Sequence, residues 1–197
     1  MRVLIFDTET SGFPEKGGKL VQFAAHICDL SFIDTLTVQE FSTLVKCPDP
    51  VPDEVLAIHG ISQEMSQTGI DPKQVCQWFL GAAARADLIV AHNSAFDMKV
   101  MEYEFERAQI AERANTPVFC TMKASTDLCR LPGKYGFKWP KLAEAMDILC
   151  GVKLENAHDA LADTRGCRVL LLELVKRGLV PAIEEIKKRK IEQSTTP

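Results

Sequence analysis

The stretch Val3-Leu4-Ile5-Phe6-Asp7-Thr8-Glu9-Thr10-Ser11-Gly12 decides how this chain is read. Its first four residues form an apolar run of the kind that becomes a buried strand. Asp7 and Glu9 follow two positions apart, and because side chains alternate along a strand both point to one face. Two carboxylates on a common face repel each other unless a cation lies between them, and Mg²⁺ takes one or two such oxygens together with water and substrate phosphate. The pair is a candidate metal platform at a strand end. Taken alone, it also reads as a solvated strand end, with Thr8, Thr10, Ser11 and Gly12 as turn residues.

Two later segments repeat the chemistry. Leu88-Ile89-Val90-Ala91 is a second short apolar run, followed by His92-Asn-Ser-Ala-Phe-Asp97 and a helical pattern from about Ser94 to Arg113. Asp97 falls in the first turn of that helix, where an acid is also favoured by the backbone dipole alone. The third segment is His158-Asp-Ala-Leu-Ala-Asp163. On one continuous helix its histidine and last acid would stand about 140° apart, so they converge only if His158 lies in the preceding loop. Gly151 to Ala157 carries no sustained apolar period, whereas Leu161, Val169, Leu170, Leu172 and Leu174 supply an amphipathic stripe, which predicts a helix starting near that point. Asp159 stands four residues before Asp163 and could share its helix face; it reads as a helix-start acid.

In this order the motifs resemble the DEDDh, or DnaQ-like, 3′-to-5′ exonucleases, a family that includes proofreading subunits of bacterial replicative DNA polymerases. The resemblance runs from Asp7-Thr-Glu9-Thr-Ser-Gly12 through Val55-Leu-Ala-Ile-His59-Gly60-Ile61 to His92-Asn93-x-x-Phe96-Asp97 and His158-x-x-x-x-Asp163. It implies metal ligation by Asp7, Glu9, Asp97 and Asp163, with His158 as general base, and favours Asp163 over Asp159 as the last acid. Histidine rather than tyrosine in the final segment separates the chain from the sister DEDDy group. The resemblance further implies substrate contacts at Thr10, Phe13, Glu54, His59, Gly60, Ile61, Asn93 and Phe96, with Phe13 and Ile61 against the last base or sugar. Phe13 stands where leucine is commoner. Without the resemblance, Glu54 is an exposed acid on a short helix begun by Pro52-Asp53, and His59 a surface residue.

The implied chemistry is hydrolysis of a phosphodiester at a free 3′ end of nucleic acid, with single-stranded DNA the expected substrate, releasing nucleoside 5′-monophosphates. It would use two Mg²⁺ ions about 3.5–4 Å apart, with Mn²⁺ able to substitute. DNA and RNA differ by a 2′-hydroxyl that no residue type here declares, so an RNA-trimming enzyme of the same superfamily stays open. So does association with a DNA polymerase or replication complex. A catalytically silent binding subunit is disfavoured by the presence of all four acids and the histidine.

Composition agrees with a compact enzyme. The chain has 197 residues, 46% of them hydrophobic, which suits one ordinary domain. The expected division is an exonuclease domain over 1–180 and a C-terminal helix and tail over 181–197. A formal charge of −4 looks wrong for a phosphate binder. Yet four acids in one pocket would supply four negative charges, and bound divalent cations would reverse the local sign. The first acid lies six positions after residue 1, which argues against a signal peptide, and no apolar run approaches a membrane span. Seven scattered cysteines without a Cys-x-x-Cys pair argue for a reducing compartment and against structural zinc. The expected location is cytoplasmic, away from any membrane.

Strand patterns at about 2–7, 19–30 and 36–46 precede helices alternating with short strands near 88–91 and 118–121. That order predicts an α/β protein with a mixed sheet flanked by helices; the resemblance specifies the ribonuclease H-like fold with five strands. Pro14 to Gly18, Pro48 to Pro52 and Leu131 to Pro140 read as loops. The stretch Arg130 to Lys141 combines four cations with Tyr135, Phe137 and Trp139 and contains no acid. Either it binds nucleic acid, cations on phosphates and rings on unpaired bases, or its rings seal the core. Lys187-Lys188-Arg189-Lys190 reads as a solvated helix end, and His26 as structural.

Overall fold

The structure is a computed structural model that describes residues 1–31, 38–182 and 185. The apolar run at the start becomes the central strand β1 (Arg2–Thr10), longer than expected because pairing continues through the acidic pair. It lies between β2 (Leu20–Asp29), antiparallel, and β4 (Leu88–Ala91), parallel. β3 (Val38–Leu44) extends the antiparallel edge and β5 (Val118–Cys120) the parallel one, so the five-stranded order is β3-β2-β1-β4-β5. This is the mixed sheet that the pattern predicted.

Alternation along β1 sorts the core into two layers. Leu4 and Phe6 pack with α3 (Pro72–Arg85) and α4 (Ser94–Arg107) through Val75, Phe79, Val100, Met101 and Phe105. Val3 and Ile5 pack on the opposite face with α5 (Thr121–Cys129), α6 (Leu142–Cys150) and α7 (Ala160–Lys176). Each fully buried side chain of this size contributes about 1.5–3 kcal/mol. α7 buries Cys167, Leu170, Leu171 and Leu174, an i, i+3, i+4, i+7 stripe. Val169 and Leu172, expected within the stripe, are only partly buried at its flank.

Two boundaries differ from the sequence pattern. α4 stops at Arg107 rather than Arg113: Gln109 turns left-handed at φ 55°, and the Ile110 N–H donates to Phe105 O at 2.9 Å. This is a Schellman stop, completed by packing of Ile110 on the core. The expected loop from Leu131 to Pro140 contains a small hairpin of β6 (Pro132–Gly133) and β7 (Gly136–Phe137). α1 (Asp53–His59) and α2 (Gln63–Gln67) connect β3 to α3. The strand start expected at 36 and Lys187 to Lys190 lie outside the described residues, as do all of 181–197 except 181, 182 and 185. Among the described residues no helix is long and apolar enough to cross a membrane.

Candidate active site

Asp7 and Glu9 continue the face of β1 begun by Val3 and Ile5, and that face looks toward α7. Asp163 lies in the first turn of α7, and His158 sits in the preceding turn at φ 69°. One ligand atom each from Glu9, His158 and Asp163 falls within 4.8 Å of the others. The loop position that the spacing demanded of His158 is therefore observed. Asp159 caps α7, its Oδ1 accepting from Ala162 N at 2.9 Å, as a helix-start acid should.

Asp97 arrives from the other layer. Thr8 points toward α4 because it alternates with Asp7 and Glu9, and both its backbone N–H and its hydroxyl donate to Asp97 Oδ1, at 3.1 and 2.8 Å. These bonds bring the Asp97 carboxylate, 3% exposed, to the edge of the acid pair.

Four acids in this space disfavour one another's charge. Burial raises Asp97 to about 7, against the two Thr8 hydrogen bonds that lower it, with Asp163 adding repulsion. Burial first, then Asp163 and Asp97, push Glu9 up to about 8. Asp7 is raised well above the carboxylate range by burial and by Asp97, Asp163 and Glu9. Asp163 is raised by burial, partly opposed by the His158 N–H at 3.2 Å and by the His158 side chain. Its Oδ1 is buried and accepts no hydrogen bond. A donor set made mostly of carboxylates, with an unpartnered buried oxygen, is what a hard divalent cation would complete.

Beside Glu9 a groove of about 520 Å³ is lined by Thr10, Phe13, Glu54, His59 and Phe96, all expected substrate contacts, and by Lys16 and Ile58, which the sequence did not single out. Phe13 is 59% exposed with the Lys16 ammonium 5.5 Å from its ring centroid. A Cβ at Gly18 would fall 2.1 Å from the Gly12 carbonyl oxygen, so the turn forming this wall closes only with glycine there.

His59 is held rather than free. Ile61 N donates to its Nδ1 at 3.0 Å, which leaves the proton on Nε2, and Nε2 lies 3.2 Å from Thr10 O. Burial lowers its pKa, with the Thr10 contact opposing. Both ring nitrogens are thus used by backbone, and any substrate contact is left to the ring's carbon edge and face. Gly60 is the left-handed cap of α1 at φ 73°. Ile61 departs from the expectation that it packs on a base or sugar: it is 3% exposed, filling a small cluster with Val21 and Cys47. Its apolar character is spent on that cluster. Asn93 is exposed at φ 71° before α4, outside the groove lining.

One positioning residue escaped the sequence reading. Gln22 stands opposite Glu9 across the strands, directly before the pairing shifts between Glu9 and Thr10. Its Nε2 donates to Asp159 Oδ2 at 3.0 Å and its Oε1 accepts from Ala160 N at 3.0 Å. Both ends of the amide are used to seat the start of α7, and with it His158 and Asp163. The available signal was a lone amide in the apolar run Leu20-Val21-Gln22-Phe23-Ala24-Ala25. His26, on the same strand, is fully buried with Nε2 2.9 Å from Glu40 Oε1, and burial lowers it to about 4.

The protein is an α/β fold whose mixed sheet carries, at the carboxyl end of its central strand, carboxylates and a histidine placed so that they could hold a metal ion. The exonuclease family profile, of the RNase T type, matches residues 4–168, and the chain belongs to that family. It is 30% identical over 185 residues to an uncharacterised exonuclease of Escherichia phage 186, covering 89% of each. It is 28% identical over 178 residues to the DNA polymerase III subunit epsilon of Pasteurella multocida, covering 82% of this chain and 63% of that protein. E. coli exonuclease I in complex with a dT13 oligonucleotide superposes with a TM-score of 0.72 at 18% identity, over 89% of this chain and 41% of that one. The fold is therefore ribonuclease H-like, and the grouping is the DnaQ-like one.

Proposed function

We propose that this chain is a metal-dependent 3′-to-5′ exonuclease of single-stranded DNA, its domain spanning 1–180. The observation that carries the reading is the convergence of Asp7, Glu9, Asp97 and Asp163 from both helical layers onto one strand end, where burial raises all four and neighbouring acids add to the rise. Without metal such a pocket holds protons at neutral pH, and a divalent cation that displaces them would relieve the repulsion among the ionised acids. Mg²⁺ is the metal proposed, two ions with Mn²⁺ as a substitute, and the four acids are its holders. When bound, such ions make water nucleophilic at neutral pH and offset charge on the scissile phosphate and the leaving 3′-oxygen.

The chain's own groups do the rest. His158, exposed beside Glu9 and Asp163, accepts the proton of the attacking water. Water adds to phosphorus and the bond to the 3′-oxygen breaks, leaving a nucleoside 5′-monophosphate and a strand shortened by one residue. The exposed Phe13 and half-buried Phe96 offer apolar surface to the terminal base and sugar, and Lys16 offers a cation to phosphate. DNA as substrate is supported by the complexes of exonuclease I with DNA and by the epsilon relatives. The latter also support a replication partner. All seven cysteines are free, which suits a reducing compartment.

Digestion of matched 5′-labelled DNA and RNA oligomers with Mg²⁺, with and without chelator, tests the reading. A ladder shortening from the 3′ end, faster on DNA and abolished by chelator, is expected. Asp7→Asn and Asp163→Asn should each remove nearly all of it while leaving the fold intact. Near-normal turnover by Asp7→Asn in Mg²⁺ would overturn the assignment of the pocket.

A further inference from the structure

The hairpin between α5 and α6 is built with its feet in the core and its aromatics outside. Leu131 packs on the α5–α7 layer, Pro140 is buried, and Lys138 N donates to Leu131 O at 2.9 Å, closing the base. A Cβ at Gly133 would fall 2.8 Å from Lys138 N, so the two arms cross closely. Between these anchors Tyr135 is 90% exposed, Trp139 63% and Phe137 49%. Sealing of the core falls to Leu131 and Pro140, not to the rings. Three large rings kept in water at neighbouring positions are an unfavourable surface unless something covers them.

Position and charge indicate what does. His92 follows β4 directly, and its Nε2 lies 3.0 Å from Pro140 O while Nδ1 meets Thr121 Oγ1 at 3.0 Å. β4 runs parallel to β1, so this tie fastens the hairpin's second foot to the end of the sheet that carries the acid pocket. Trp139 is the residue next to that tie. Lys134 stands 5.0 Å over the Tyr135 ring, and the stretch from Arg130 to Lys141 has no acid of its own; its Lys138 pairs with Glu144 from α6 at 2.6 Å. Cations interleaved with exposed rings complement a strand that is phosphate on one side and unpaired base on the other.

We propose that Tyr135, Phe137 and Trp139 form a stacking platform for unpaired bases of the substrate strand, upstream of the 3′-terminal nucleotide held in the groove beside Glu9. This rests on the exonuclease reading. The platform grips bases while the pocket does the chemistry, so it governs length dependence and processive hold rather than bond cleavage.

Fluorescence anisotropy of a 5′-labelled thymidine oligonucleotide of about a dozen residues, taken in chelator so that the strand is not shortened, reads the platform apart from turnover. Tyr135→Ala, Phe137→Ala and Trp139→Ala should each weaken binding roughly 5- to 150-fold, the range a stacked ring contributes, at unchanged Tm; Trp139→Phe should retain most of it. Removing the upstream bases while keeping the phosphates should weaken the wild type by a similar factor and the alanine variants little. With Mg²⁺ present, hydrolysis of the p-nitrophenyl ester of thymidine 5′-monophosphate, which cannot reach the hairpin, should be the same in the wild type and all four variants. Unchanged oligonucleotide binding in the alanine variants would overturn the platform. Equal binding of natural and base-free strands by the wild type would do so too, as would self-association that the same variants abolish without altering oligonucleotide binding. A wild type that binds the oligomer through these rings yet never hydrolyses the ester would instead sink the exonuclease reading.

Discussion

Replacing Glu9 by glutamine should stabilise the metal-free protein and destroy its response to metal. Glu9 rises from 4.5 to about 8 on folding because the pocket buries it beside Asp163 and Asp97. A carboxylate raised in this way makes the folded state the better proton binder. Its stability contribution is therefore full at low pH and is lost as pH climbs from about 4.5 through about 8. At 1.36 kcal/mol per pH unit the shift corresponds to about 5 kcal/mol if the side chain were fully dehydrated. Glu9 is partly open to the groove, which reduces the expectation to about 2–3 kcal/mol by solvent screening. For a chain of this length that is about 4–12 °C in Tm. Thermal melts in chelator at pH 9 should show Glu9→Gln melting higher than wild type by this amount, and the gap should shrink to about 1 kcal/mol or less at pH 5, where native Glu9 is already neutral. Saturating Mg²⁺ or Mn²⁺ should raise the wild type and move the variant much less, reversing the order. A Glu9→Gln protein less stable than wild type at pH 9 in chelator would refute the claim that burial and the neighbouring acids disfavour the Glu9 charge in the folded chain.

Two further outcomes are expected. His158→Ala should lower kcat about 10²- to 10⁴-fold, the usual contribution of a placed base, with metal affinity by calorimetry nearly unchanged; lost metal binding that excess Mn²⁺ restores would make His158 a ligand instead. Gln22→Leu leaves Asp159 Oδ2 and Ala160 N without the partners they have now, costing about 1–3 kcal/mol; because α7 carries His158 and Asp163 at its start, kcat should fall more than KM rises, and an unaltered kcat at lowered Tm would reduce Gln22 to a purely structural role.

The strands and the acid set were legible for a physical reason. A buried strand such as Val3 to Phe6 has no polar residue to explain away, so the carboxylates that follow it stand out as chemistry. Period two then decides that Asp7 and Glu9 share a face before any partner is known. The five-residue spacing from His158 to Asp163 likewise forces the histidine off the helix, as its left-handed turn at φ 69° bears out. The hairpin rings were undecidable from sequence, because a ring that seals a core and a ring that meets a base are the same residue type. Ile61 was misread for a similar reason: next to a groove helix, only packing against Val21 and Cys47 tells a buried isoleucine from an exposed one.

By itself, then, the amino-acid order determined the mixed sheet, the strand-end acid pair, the loop placement of His158 and the family to which the chain belongs, because each follows from local periodicity or from motif spacing. Tertiary structure alone decided the rest. It turned Thr8 to the opposite layer so that its N–H and hydroxyl hold Asp97, seated α7 through a glutamine 137 positions before Asp159, used up both nitrogens of His59 on backbone, and left three rings of the hairpin in solvent. Those are contacts between residues distant in sequence, and their energies depend on burial and direction, which no single segment carries.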